Sequence, residues 1–147
     1  VLGDLAGPTV FSLLMGLSRL IYGKRGDQMD LTKTMLACCG LCAAAYLLIG
    51  LTQSPLAGLV GVGLCGFSVG FFWPGTFSRA SSMIPRGGTA MFALLALAGD
   101  LGCSGGPTLA GFVSSACGSN LRIGILSAII FPVILLLALL KKPARQN

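Results

Sequence analysis

Histidine is absent from this chain, and charged side chains make up only 10% of its 147 residues. Without histidine there is no ordinary imidazole acid or base and no histidine-ligated metal site. A soluble domain carries about 25% charged residues, so this chain has too few to cover a surface facing water. No glycine-rich loop runs into Lys-Ser or Lys-Thr, and there is no Gly-x-Ser-x-Gly. No enzyme, no cofactor and no metal is expected. The formal charge is +6, but the basic residues sit between apolar runs and not on one polar face, which argues against nucleic acid. No basic stretch precedes the first apolar run, so that run does not read as a signal peptide.

What the chain has is apolar residues, 54% of the total, and 22 glycines. They fall into five runs, at about 2–17, 34–51, 56–77, 88–114 and 123–140. Each suits a helix long enough to cross a bilayer core of about 30 Å. The polar segments 18–33 and 78–87 are expected to be loops, and 141–147 a basic solvated tail. Thr52 to Pro55 and Ala116 to Asn120 are turns. Asp30 is placed to cap the second helix. The fold expected is an all-α polytopic membrane bundle.

The fourth run carries one carboxylate, Asp100, near its middle. At about 1.5 Å per residue it lies roughly 18 Å from the start of its helix, close to mid-membrane. A carboxylate at that depth costs several kcal/mol unless it faces protein or water. Low dielectric favours its neutral form, so one reading is a proton-coupling or solute-binding group. The other is a structural carboxylate partnered elsewhere. Gly102 and Gly106 form a small-xxx-small pair on this helix, a close-packing face. Pro107 removes a backbone hydrogen bond just beyond them and permits a hinge. Asp4, near the start of the first run, is a second candidate carboxylate. Trp73, at the far end of the third run before Pro74, either stacks on a bound solute or belongs to an interfacial aromatic belt. Pro74 offers a second bend.

Cys38, Cys39 and Cys42 crowd one helical face, but no histidine or carboxylate is near them. They read as small buried packing residues. Cys65, Cys103 and Cys117 are scattered, and no disulfide framework is implied.

Arg19, Lys24, Arg25, Lys33, Arg79, Arg86, Lys141, Lys142 and Arg145 fall on one side of the expected topology, and only Arg122 on the other. The nine-residue side should be cytoplasmic. The C-terminus is then inside, in a plasma or bacterial inner membrane.

The segment from Gly16 to Arg25, with Gly16, Gly23, Lys24 and Arg25 in place, resembles the cytoplasmic loop signature of the major facilitator superfamily. Leu20 and Ile21 stand where that signature has an acidic–basic pair, and Arg19 lies one place earlier. The inter-helix charge lock assigned to that acidic residue is therefore not carried over. The segment from Phe72 to Ser78 resembles the end of the tenth helix in the fucose-permease-like sugar branch. The resemblance covers nearly the whole chain. It implies helices eight to twelve of a twelve-helix carrier, with the N-terminal half lying outside this sequence. It also implies a small-molecule solute, moved by rocking two bundles about a central site. Proton-coupled sugar uptake, export of drugs or metabolites, and a small non-catalytic membrane subunit remain open as readings. Arg19, Lys24 and Arg25 would then set topology and the inner gate, and protons would be the coupling ion of a symporter.

Overall fold

A computed structural model of the protein describes residues 2–141, with side chains described from residue 5 onward. The helices run in the order α1 (Leu2–Arg25), a 3-10 turn (Gly26–Gln28), α2 (Leu31–Leu51), α3 (Pro55–Met83), α4 (Gly88–Ala116), α5 (Leu121–Ser127) and α6 (Ile130–Leu140). There is no strand among the described residues. They make five spans long and apolar enough to cross a membrane, with α5 and α6 together forming the fifth.

Several boundaries lie beyond those expected. α1 does not stop near Leu17 but continues to Arg25. Leu17, Leu20 and Ile21 keep it apolar, no proline interrupts this part, and Lys24 and Arg25 complement the negative end of the helix dipole. The residues read as a gating loop, Gly16, Arg19, Gly23, Lys24 and Arg25, are therefore helical. The expected loop 18–33 contracts to Gly26–Asp30, because α2 already begins at Leu31. The Asp30 carboxylate accepts a hydrogen bond from the backbone N–H of Lys33 at 3.2 Å, which caps that helix.

α3 extends six residues past Phe77 to Met83 and passes through Pro74 without ending. The loop expected at 78–87 shrinks to four residues, Ile84 to Gly87. At 29 residues α3 is about 43 Å long, so its ends project beyond a ~30 Å hydrocarbon core.

The fifth span is split where a single helix was expected. Pro132 has no N–H to give the carbonyl of Ala128, which accepts instead from Phe131 at 3.1 Å. Ala128 and Ile129 likewise bond three residues back, and the tightened turn separates α5 from α6.

α3 is the centre of the bundle. It packs on α1 along one side and α2 along another, and α2 packs on α5 and α6. One cluster of buried side chains joins Met35 and Cys39 of α2 to Leu139 of α6. A second joins Cys42 and Ala45 of α2 to Cys65 of α3. Glycines set how close the helices come. A β-carbon at Gly63 would strike Leu14 and Val10, one at Gly66 the backbone of Phe11, and one at Gly70 the hydroxyl of Ser18. On its other side α3 presents Gly61 to Ile49 and Gly75 to Met35 of α2. This is close approach through small residues, the packing that a lipid solvent favours. α4 is the outlier. It packs on α5, where Gly124 meets the backbone of Ala110, and otherwise leaves most of its length unburied.

Candidate functional site

Asp100 projects from the uncovered face of α4 and is exposed. Among the described residues no ion pair reaches it. Beside it on α4, Leu101, Ser104, Gly105, Thr108, Leu109 and Phe112 line a shallow open groove that does not include Asp100. The Thr108 hydroxyl donates to the carbonyl of Ser104 at 2.7 Å, so Thr108 satisfies itself along its own helix. Gly102, Gly105 and Gly106 of α4 have nothing within 4 Å of a built β-carbon. The close-packing role expected of Gly102 and Gly106 is therefore not exercised within the described chain. Pro107 lies inside α4, which runs on to Ala116 without a break.

The α4 glycine that does meet a neighbour is Gly99, under the ring of Trp73. Trp73 packs on Phe77 at 4.6 Å between centroids, and Phe77 stacks on Phe92 of α4 at 5.4 Å. An aromatic ladder thus ties α3 to α4 just on the Met83 side of Asp100. Trp73 is ten residues, about 15 Å, from the end of α3 at Met83, and Gly99 is a similar distance from the start of α4, so the two lie at one level of the bundle. Trp73 is 44% exposed.

At the same end of the bundle as Lys24 and Arg25, polar side chains link three helices. The Tyr22 and Ser78 hydroxyls share a hydrogen bond of 2.7 Å between α1 and α3. Arg79 of α3 donates to the Thr32 hydroxyl of α2 at 2.8 Å. Ser18 is fully buried beneath Gly70 and donates to the carbonyl of Met15 at 2.9 Å. These contacts were not anticipated, because Ser18, Tyr22 and Ser78 all lay in segments expected to be loops. Arg19, Lys24 and Arg25 point outward and are exposed, and Gly16 and Gly23 have open space around them. The side chain of Asp4 lies outside the described residues.

The structure therefore brings Trp73 beside the Asp100 helix and holds the basic end of α1 near the Met83 end of α3. The cysteines divide cleanly. Cys38, Cys39, Cys42 and Cys65 are buried, and Cys103 and Cys117 are exposed. No group of metal-ligating side chains occurs among the described residues.

A family model described as Major Facilitator Superfamily matches residues 7–147. No curated protein matches the chain, and no solved structure does.

Proposed function

The chain belongs to the major facilitator superfamily of secondary transporters, and from that premise we propose that it moves a small solute by alternating access with Asp100 at the site. The observation that carries this reading is the position of Asp100. It is a carboxylate near the middle of a 29-residue apolar helix, on a face that the rest of the described chain leaves open. A charge at that depth is retained where it meets water or a partner. Trp73, packed on the neighbouring Gly99, would supply an aromatic wall. Asp100 would take up and release a proton, or hold a solute hydroxyl, as the cavity opens to one side and then the other.

In this reading the open faces of α1 and α4 receive the other bundle of a two-bundle carrier, and the end bearing Arg19, Lys24, Arg25 and Arg79 is cytoplasmic. A plasma or inner membrane is the corresponding location. Gly16 and Gly23, with open space above them, leave room for that bundle to rock across the inner end. Gly102 and Gly106 would do the same beside Asp100, with Pro107 and Pro74 as the bends. Proton-coupled sugar uptake is the first solute class. Export of hydrophobic compounds is the second, favoured by the apolar lining of the α4 groove, where Ser104 and Thr108 are the only hydroxyl groups.

Uptake of a sugar panel into liposomes under an imposed pH gradient tests this, with wild type set against Asp100→Asn. Accumulation lost while exchange is kept identifies Asp100 as the coupling carboxylate. Wild-type behaviour of the variant towards every transported solute removes Asp100 from the mechanism. If no sugar moves, export of hydrophobic compounds takes precedence.

A further inference from the structure

A second recess, lined by none of the residues of the α4 groove, lies where α2, α3 and α6 meet. It is a cleft of about 290 Å³ whose apolar walls include Met35, Met83, Leu135 and Leu139. Its remaining edge carries two cations, Arg79 near the end of α3 and Lys141 just after α6. No acidic residue lines it. Among the described residues no carboxylate pairs with Arg79 or Lys141. One guanidinium nitrogen of Arg79 donates to Thr32, which aims the group and leaves its other donors free.

The position of these groups along the helices gives the cleft its meaning. α3 and α6 end on the same side of the bundle, and Arg79 and Lys141 sit at those ends, where a spanning helix would meet the lipid headgroups. The apolar walls run from there along the helices. An apolar cleft with two positive charges at its helix-end edge and no negative one is complementary to a molecule with an anionic head and a hydrocarbon tail.

We infer that this cleft binds an anionic phospholipid, its phosphate between Arg79 and Lys141 and the upper part of one acyl chain against Met35, Leu135 and Leu139. The lipid would staple α6 to α3. Arg79 serves as the more directional partner, since its planar fork matches phosphate oxygens, and Lys141 as a point charge. The inference is independent of the identity of the solute.

Native mass spectrometry of the purified protein, supplied with phosphatidylglycerol or phosphatidylcholine, reads bound lipid directly. Wild type should retain phosphatidylglycerol preferentially. Lys141→Gln and Arg79→Gln should each lower that retention about fivefold, as expected for one basic residue at a lipid surface. Ala138→Trp fills the cleft while keeping both charges, and should abolish retention. Because Arg79 also braces Thr32, the Lys141 and Ala138 variants carry the test if Arg79→Gln unfolds early. Equal retention of the two lipids overturns the proposal. So does unchanged retention in Ala138→Trp, or displacement by glycerophosphate lacking acyl chains.

Discussion

The ring of Trp73 lies so close over Gly99 that a β-carbon there would meet its Cζ3 at 2.5 Å. This contact registers the central helix against the helix that carries Asp100, one residue away. Gly99→Ala must therefore tilt the indole or push α4 outward. Trp73 is the single tryptophan of the chain, so its fluorescence reports on this contact alone. Gly99→Ala should shift the emission maximum and lower transport. Gly102→Ala, where nothing lies within 4 Å, should leave the emission unchanged. An unshifted spectrum in Gly99→Ala would show that the indole does not rest there.

The α1–α3 seam supplies a prediction about stability. At Gly66 an added methyl group meets the backbone of Phe11, which cannot rotate away, and at Gly70 it meets Ser18 and the carbonyl of Met15. Gly66→Ala and Gly70→Ala should each cost about 1–3 kcal/mol, the usual range for overpacking. Gly58→Ala, on the same helix with open space around it, should stay within about 0.5 kcal/mol. Unfolding in mixed micelles with rising denaturing detergent would rank the three. A ranking with Gly58→Ala lowest in stability would contradict this seam.

Cysteine accessibility probes both packing and cavity. The Cys42 and Cys65 sulfurs lie 4.0 Å apart in the α2–α3 interior, and Cys38 and Cys39 are buried beside them. Cys103 lies three residues beyond Asp100 and is exposed, on the same side of α4. A charged, membrane-impermeant maleimide should label Cys103 through a water-filled cavity and spare Cys42 and Cys65. A transported solute should slow that labelling. Labelling of Cys103 only by a lipid-soluble reagent would place this face of α4 in hydrocarbon and count against Asp100 as a solute site.

The bundle was legible in the sequence because apolar runs separated by turns need no tertiary information. Asp30 as a cap and the buried cysteines of α2 were readable for the same local reason. The helix ends were not. Arg19, Lys24 and Arg79 looked like loop residues, yet helices of 24 and 29 residues simply outrun the hydrocarbon and carry their charges into the headgroup layer. Nor could spacing alone tell which glycines pack. Gly66 and Gly102 both sit in small-residue patterns, but only Gly66 has a helix opposite it. Partners across a seam are set by which helices become neighbours, and that is not written within any one of them.

The start of α2 gives a prediction about pH. The backbone N–H of Lys33 holds the Asp30 carboxylate below its ordinary pKa, helped by the Lys33 ammonium at 3.3 Å. A depressed carboxylate stabilises the folded chain at pH values above its unfolded pKa of about 3.9, and loses that contribution as pH falls through the lower folded value. Asn is nearly as good a cap as Asp, so Asp30→Asn removes the charge while keeping the cap. Wild type should be the more stable of the two at neutral pH, and the difference should vanish as the medium is acidified below about pH 3.9. Added salt should shrink it at neutral pH, because Asp30 and Lys33 are both exposed to water. Paired thermal unfolding curves across that pH range would measure it. A difference that grew on acidification would mean that the carboxylate is held above its ordinary value and that Lys33 does not stabilise its charge.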